Sequence, residues 1–488
     1  MGFFIVCLCL AAIVGLYFFN NPMRHGGWFL TRRFINWFPL GMTYAFLYMG
    51  RYNLNAAKDA MGALMSNEAF GVIFAAGTWT YALSFIVNGP LVDKLGGKKG
   101  ILIAAIGSAA ANLLLGVLTY LHLTGVLRMN LVITFSVVYA LNMYFQSYGA
   151  VSIIKVKAYW FHVRERGIFG AIFGTLISFG VYFAFDWGQA IVDAAKLQAA
   201  HSSHWLARLI HAVFASERHA VDATWAVFFI PGLILLVWAL LDIWLIKDAP
   251  EDAGFPPFDT HDASSGQMEV EYTTLDLLKK VFASPVMLLI SVVELTSGIF
   301  RNGIAQWYKI FVREFPQPGT EFFFEHWGLL LCMFGIVGGF VGGMVSDKFF
   351  QSRRGPPAGL LCVLVLLMAL TMSAFLHSSP LIIGVASLTI VMCAIGITSL
   401  MSGTAATDLG GRKATATCSG IVDGFAYLGS GIQSIGLGYL TGHGWFWWPI
   451  FLMPFAILGV LASLKIWHAL PPATRKYLAE VEARTKPA

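Results

Sequence analysis

The chain has 488 residues, of which 57% are hydrophobic and only 12% are charged, whereas an ordinary soluble domain carries about a quarter charged residues. This composition excludes a water-soluble fold, and the length could hold about a dozen helices of about 20 apolar residues with short connections. The net charge of +6 and the six cysteines imply neither a nucleic-acid partner nor a disulfide or metal framework, because the basic residues follow the loops and the cysteines lie in or beside apolar runs.

Apolar runs of spanning length occur thirteen times along the chain. Seven precede a polar stretch at 247–280, at residues 3–20, 34–54, 69–92, 101–121, 130–154, 167–191 and 223–246. Six follow it, at residues 282–305, 326–346, 356–377, 380–403, 414–440 and 445–467. The sequence therefore predicts an all-α membrane protein with twelve core spans in two sets of six, preceded by an extra helix.

The extra run at 3–20 has the length of a signal sequence, but it lacks a basic start and a small-residue cleavage pattern near Asn20. We interpret it as an uncleaved transmembrane helix. The predicted divisions are an extra helix and basic linker at 1–30, an N-terminal six-helix bundle at 31–247, a cytoplasmic central loop at 248–281, a C-terminal six-helix bundle at 282–470 and a cytoplasmic tail at 471–488.

The distribution of basic residues predicts the orientation of the chain. One set of alternating short loops contains most of the lysines and arginines, and the other set contains few. Because positive loops remain in the cytoplasm, we expect the basic loops, the central loop and the C-terminus to be cytoplasmic. Thirteen spans then place the N-terminus in the periplasm, and the membrane is expected to be the cell inner membrane.

The outer segment at 192–222 carries four histidines, at positions 201, 204, 211 and 219. A metal site is one interpretation, but the spacing matches no standard ligand pattern. An amphipathic helix lying at the membrane surface accounts for the apolar residues of this segment equally well. The sequence therefore predicts no metal site and no cofactor.

A glycine-rich basic loop joins the second and third core spans, and a degraded copy stands at the corresponding place in the second half. The motif residues are Gly89, Asp93, Lys94 and Gly96 in the first half and Asp347 and Lys348 in the second. The first loop resembles the signature of the major facilitator superfamily, which implies two pseudo-symmetric six-helix bundles. Its acid and bases could meet helix ends in one state and release them in another, although an ordinary positive-inside turn is an alternative.

Two arginines lie inside apolar runs at matching places in the two halves. Arg51 belongs to the first core span and Arg301 to the seventh. Inserting an arginine within a membrane span costs about 2.5–3.5 kcal/mol on insertion scales, so such a residue usually has a function. We expect both at mid-depth between the halves, where two planar guanidinium groups would bind a phosphate or carboxylate. The alternatives are that each arginine reaches the surface or pairs with an acid.

Around these arginines the sequence resembles the organophosphate:phosphate antiporters, the group that includes bacterial glycerol-3-phosphate and hexose-phosphate transporters. The matching segments are 44–53, 145–149 with 155–167, 248–257, 301–307 and 420–429. The resemblance covers most of residues 34–467. It implies a substrate site in which Arg51 and Arg301 bind the phosphoryl group, while the pocket is lined by Tyr44, Tyr48, Tyr81 and Gln146.

The chain departs from this family where two phosphate donors are expected, because Phe85 stands in place of a lysine and Ile177 in place of a histidine. Acidic residues are present instead, at Glu294, Asp423 and Asp186. Buried carboxylates beside arginines could neutralise them, bind a substrate amine or carry protons. The sequence leaves these three roles open.

The leading hypothesis is a transporter, expected to be monomeric, that exchanges a small phosphorylated anion for inorganic phosphate by alternating access. The second is a proton-coupled carrier of a non-phosphorylated anion or zwitterion, which Glu294 and Asp423 motivate. The third is a membrane sensor of sugar phosphate that transports nothing. An enzyme is not expected, since the sequence contains no triad, nucleotide loop or metal cluster in register.

Overall fold

The computed structural model describes residues 2–162, 165–195, 208, 223–256, 276, 279, 282–350, 353–409 and 411–469. Within these ranges, nothing is described of the side chains at positions 93, 166–171, 195, 343–344, 347–348 and 403–419. The four histidines of the outer segment lie outside the described residues, as do most of the predicted central loop and the predicted tail.

The described residues form long helices joined by short turns. In the first half of the chain the helices are α1 (Gly2–Phe19), α2 (Gly27–Met61), α3 (Asn67–Leu95), α4 (Gly97–Leu123), α5 (Leu131–Trp160), α6 (Arg166–Tyr182), α7 (Gly188–Ala195) and α8 (Ala226–Leu245). A π-helical segment, Phe183–Trp187, joins α6 to α7. In the second half they are α9 (Pro285–Ala305), α10 (Trp307–Glu314), α11 (Glu321–Glu325), α12 (Trp327–Phe349), α13 (Gly355–Phe375), α14 (Pro380–Leu409), α15 (Gly411–His443) and α16 (Trp447–Lys465).

Each of the thirteen predicted apolar runs falls on one or two of these helices. Several helices are longer than the runs, and α2 extends from residue 27 to 61, because polar residues can continue a helix beyond the hydrocarbon layer. Among the described residues, nine helical stretches are long and apolar enough to span a membrane. The helices α2, α5 and α15 are not among the nine, and they carry Arg51, Gln146 and Asp423 in their interiors.

Local capping explains where several helices begin. The side chain of Ser66 accepts a hydrogen bond from the backbone N–H of Ala69 at the start of α3, and that of Asn130 accepts from Ile133 at the start of α5. Ser284 precedes α9, whose first residue is proline. These residues satisfy backbone donors that a helix start leaves free.

The two halves, α2–α8 and α9–α16, pack against each other along α3 with α15 and along α6 with α12. Glycine makes the first of these approaches close. A Cβ atom built on Gly71 of α3 would overlap the carbonyl oxygen of Ser434 on α15. A side chain at this position would therefore force the halves apart.

The extra helix α1 is attached to the first half through a buried cluster that also includes the turn before α6. Arg33 on α2 donates to both carboxylate oxygens of Glu165, over 2.9 and 3.0 Å, and to the hydroxyl of Tyr17 on α1, over 2.9 Å. Burial by itself would raise the pKa of Glu165, but hydrogen bonds from His25 and Arg33 outweigh it and hold that pKa at about 2. The carboxylate is therefore ionised at neutral pH.

Candidate substrate site

Arg51 lies in the interior of α2 and is fully buried. Its Nε donates to Oε1 of Gln146 on α5 over 3.0 Å, and its Nη1 donates to the hydroxyl of Tyr427 on α15 over 2.7 Å. The second bond joins the two halves of the protein. The remaining nitrogen, Nη2, is buried without an acceptor among the described residues, so the guanidinium retains an unused donor.

A polar network holds Arg51 in place from the first half. Nε2 of Gln146 donates to Ser108 Oγ and to Asn142 Oδ1, each over 3.2 Å. The hydroxyl of Tyr139 donates to the backbone carbonyl of Arg51 over 2.8 Å. Because these partners come from α4 and α5, three helices of the first half fix the position of one guanidinium.

Tyrosine rings surround the Arg51 guanidinium. Its Cζ lies 4.6 Å from the ring centroid of Tyr48, 4.4 Å from that of Tyr81 and 5.4 Å from that of Tyr427, which are distances typical of cation–π contacts. Tyr44 packs behind Tyr48, with ring centroids 5.5 Å apart. Two of the three predicted pocket tyrosines therefore contact Arg51, and the third forms a second layer.

Arg301 lies near the end of α9 on the other half. Its Cζ is 5.8 Å from the ring centroid of Tyr427, so this tyrosine is a neighbour of both guanidinium groups. Nε of Arg301 is buried with no acceptor among the described residues. The adjacent Asn302 accepts a hydrogen bond from the hydroxyl of Tyr52 on α2 over 3.0 Å. The fold therefore brings the two predicted arginines to one region between the halves.

Two of the predicted acids lie in the same region. Glu294 is fully buried on α9, and neither carboxylate oxygen has a hydrogen-bond donor among the described residues. It interacts electrostatically with Asp423 on α15 and with Arg301. No ion pair within 4.0 Å links Arg51 or Arg301 to a carboxylate in the part of the chain that the structure describes. The site therefore contains separated charges of both signs.

Asp186, the third predicted acid, has a different location. It lies in the π-helical segment and accepts hydrogen bonds from the backbone N–H groups of Gly328, over 2.8 Å, and Leu329, over 3.2 Å. These groups open α12, so Asp186 caps a helix of the opposite half and complements its dipole. This geometry favours a structural contact between the halves at this position.

The loop motif forms a tight turn between α3 and α4. Gly96 has a φ of +89°, and a Cβ atom there would lie 2.6 Å from an oxygen of Asp248, so glycine is needed for both reasons. Asp248 accepts a hydrogen bond from the backbone N–H of Lys98 over 2.7 Å. Gly89 is buried within α3 and Lys94 is exposed. The predicted contacts of Asp93, Asp347 and Lys348 involve side chains outside the described residues.

A second set of contacts joins the halves on the side that the distribution of basic loops predicts to be periplasmic, and we call it the outer latch. Arg313 on α10 donates to the backbone carbonyl of Asp59 over 2.8 Å, and its Nη2 lies 3.5 Å from the carboxylate of the same residue. Lys309 donates to Oε1 of Gln189 over 2.8 Å. A cavity of about 660 Å³ lined by Lys58, Asp59, Arg313 and other residues adjoins the latch. Lys309 and Arg313 are among the few basic residues of the predicted periplasmic loops, and the sequence predicts no further role for them.

Tyr427 contacts both arginines, yet the sequence did not predict it as a site residue. The residue stands within a segment that matched the antiporter pattern, but it received no place in the predicted site. A signal was present, because Tyr427 follows Asp423 by four residues and therefore shares a helix face with it. Asn302 follows Arg301 directly, and no pattern distinguished it.

The sequence comparisons agree with this architecture. The family described as Major Facilitator Superfamily matches residues 40–434. The chain is 23% identical over 437 residues to the "Membrane sensor protein UhpC" of Salmonella typhimurium, covering 88% of each chain. It is 24% identical to the "Glycerol-3-phosphate transporter" of Bacillus subtilis, covering 87% of this chain and 90% of that one. It is 21% identical to the "Probable hexose phosphate transport protein" of Chlamydia trachomatis, covering 90% and 92%.

Solved structures show the same fold at lower sequence identity. A crystal structure of a bacterial homologue of the human lysosomal transporter Spinster, in an inward-facing and occupied conformation, matches with a TM-score of 0.64 and 13% identity. The match covers 89% of this chain and 96% of that structure. The unoccupied form of that protein matches with the same TM-score.

Proposed function

Because the chain belongs to the Major Facilitator Superfamily, we propose that it is a secondary active transporter that exchanges a small phosphorylated organic anion for inorganic phosphate. The family and the relatives confirm the prediction of a multi-pass membrane protein that is not an enzyme. They also bear out the resemblance to glycerol-3-phosphate and hexose-phosphate transporters that the sequence motifs indicated.

The arginine pair is the observation that carries the proposal. Arg51 and Arg301 come from opposite halves, neither is paired with a described carboxylate, and each keeps a buried nitrogen without an acceptor. A buried guanidinium nitrogen without an acceptor is unfavourable, so each arginine favours an anionic ligand. A phosphate presents several negatively charged oxygens to the planar forks, so its hydrogen bonds to them are charge-assisted.

Two hydrogen bonds between the halves suggest how substrate binding is linked to the change of conformation. Arg51 to Tyr427 and Tyr52 to Asn302 both cross the interface beside the arginines. A phosphate that binds both guanidinium groups competes with the Tyr427 hydroxyl for the hydrogen bond that Arg51 Nη1 donates. We propose that this exchange of partners lets the halves rock about the site while the outer latch opens and closes.

Phosphate counterflow in proteoliposomes tests the proposal. Vesicles containing purified protein and trapped phosphate should accumulate labelled phosphate, and external glycerol 3-phosphate or glucose 6-phosphate should compete with it. Protein-free vesicles and vesicles with Arg301→Lys are the controls. Absence of counterflow in protein that still unfolds cooperatively would contradict the exchange.

Glu294 and Asp423 support a second candidate, in which protons drive uptake of an organic anion. Buried carboxylates within a transport pathway are able to carry protons. Acid-driven uptake without phosphate counterflow would favour this candidate. A third candidate, a sensor that binds sugar phosphate without moving it, is supported by the relatives named as membrane sensor proteins. Ligand binding without flux would favour the sensor.

The cellular setting is also a proposal. The basic loops favour an inner membrane location with a cytoplasmic C-terminus and a periplasmic N-terminus. We propose that the protein works as a monomer, since both arginines of the site come from one chain. Cysteine labelling from either side of spheroplasts would test the orientation.

A further inference from the structure

The carboxylate of Glu294 is fully buried, and both of its oxygens lack a hydrogen-bond donor among the described residues. The hydroxyls of Ser297 and Thr398 lie close to this carboxylate, but Ser297 Oγ donates to the backbone carbonyl of Glu294 over 2.7 Å and lies 3.0 Å from Thr398 Oγ1. A buried carboxylate with free acceptors is unfavourable unless a donor fills the site.

Glu294 lies in the same region between the halves as the arginines. It stands seven residues before Arg301, which places both on one face of α9 with an axial separation of about 10 Å. Asp423 on α15 interacts electrostatically with both of them. Tyr427, one turn after Asp423 on the same helix, hydrogen-bonds Arg51. The positive and negative groups therefore form two adjoining subsites along the same pair of helices.

We infer that the transported phosphate compound also carries a primary ammonium group, which Glu294 and Asp423 bind while Arg51 and Arg301 bind the phosphate. This inference rests on the proposed function and adds a substrate class to it. An ammonium group offers three donors, so it can satisfy both oxygens of Glu294 and reach Asp423. A proton would neutralise Glu294 but would supply no donor to its second oxygen.

The absence of a lysine near Arg51 supports the same assignment. Phe85 stands where the resembled family carries a lysine, and its ring packs beside Tyr81, with centroids 4.8 Å apart. A lysine there would add a third positive charge beside Arg51. With Phe85 in its place, the positive charges of Arg51 and Arg301 are opposed by two acids, which suits a substrate that carries charges of both signs.

A pair of probes that differ in one group tests the inference. Glucosamine 6-phosphate and glucose 6-phosphate share the phosphate and the ring, and an amine replaces one hydroxyl. In proteoliposomes with the full-length protein, we expect glucosamine 6-phosphate to inhibit phosphate counterflow at a concentration at least about tenfold lower than glucose 6-phosphate needs. Thermal stabilisation of the purified protein should show the same ranking.

Glu294→Gln and Asp423→Asn should each bring the ratio of the two inhibitory concentrations close to one. Asp242→Asn is the matched control, because Asp242 is a buried acid of α8 that accepts a hydrogen bond from Thr43 of α2 over 2.7 Å. That variant should keep the wild-type ratio. Both acids are substituted, so that if one variant misfolds, the other still tests the inference.

The outcomes separate the inference from the function on which it rests. Two results would overturn the inferred ammonium site while leaving phosphate exchange intact. One is equal inhibition of the wild-type protein by the two sugar phosphates. The other is an unchanged ratio of inhibitory concentrations in both Glu294→Gln and Asp423→Asn. If the wild-type protein shows no counterflow but is stabilised against heat by glucosamine 6-phosphate and not by glucose 6-phosphate, the ammonium site is supported and phosphate exchange is rejected. Uptake driven by acid, with no preference between the sugars, would assign the acids to proton transfer and overturn the inference.

Discussion

Replacing Arg51 by lysine tests the centre of the proposed mechanism. The substitution keeps the positive charge but removes the planar fork. A lysine cannot reproduce the geometry in which Nε bonds Gln146 and Nη1 bonds Tyr427 while Nη2 remains free. We therefore expect the variant to lose at least one bond to the phosphate and its fixed position among the tyrosine rings.

The size of the effect follows from these contacts. A hydrogen bond to a charged group contributes about 1.5–3 kcal/mol, and about 1.4 kcal/mol corresponds to a factor of ten in affinity. Losing one such bond should therefore weaken phosphate binding by about 10- to 100-fold. Arg301→Lys should have an effect of similar size, because Arg301 supplies the second fork.

The assay is phosphate counterflow as a function of phosphate concentration, combined with thermal unfolding of each purified variant. Arg128→Lys is the control, since Arg128 is an exposed residue of the loop between α4 and α5, and the substitution should leave counterflow unchanged. If Arg51→Lys and Arg301→Lys both folded normally and exchanged phosphate within twofold of the wild-type protein, the arginines would have no part in substrate binding.

Three further predictions concern contacts outside the arginine pair. Arg313→Ala should weaken the outer latch by up to about 1 kcal/mol and so raise the labelling rate of a cysteine placed in the outer cavity up to about fivefold; an unchanged rate would remove the latch from gating. Gly71→Ala should place a methyl group against the carbonyl of Ser434 and reduce counterflow severely, whereas normal transport would show that the halves never approach so closely during the cycle. Because the pKa of Glu165 is held at about 2, below the value of about 4.3 for an unfolded chain, its stabilising effect is present above about pH 4.3 and is lost as the pH falls towards 2. The unfolding temperature should therefore decrease between pH 5 and pH 3 in the wild-type protein and decrease less in Glu165→Gln; equal decreases would contradict the assignment.

The sequence predicted the helices well because their signal is local. Each apolar run lies on a described helix, since hydrocarbon requires a continuous stretch of apolar residues with satisfied backbone groups. The extra helix at the N-terminus was recognised for the same reason. Polar helix ends were underestimated, as in α2, because a hydropathy pattern records the lipid-facing part of a helix and not its full length.

The sequence predicted the location of the candidate site residues less well than it predicted the helices. Arg51 and Arg301 stood out because a charged residue inside an apolar run is rare, and the structure brings both near Tyr427. Asp186 stood out by the same rule, yet it caps α12 of the other half. An acid inside a membrane span is as unusual as an arginine there. Only the position of α12, which is distant in the sequence, shows that Asp186 caps a helix instead of lying beside the arginines.

From the amino-acid order alone came the membrane class, the internal repeat, the family resemblance and the two buried arginines, because each depends on residues close together in the chain or at matching places in its halves. The packing of the halves alone determined that Tyr427 contacts Arg51, that Tyr52 bonds Asn302, and that Glu294 is buried without a donor. These contacts join residues more than a hundred positions apart or depend on what surrounds a side chain, and the free energy that selects them arises from whole helix faces packing together.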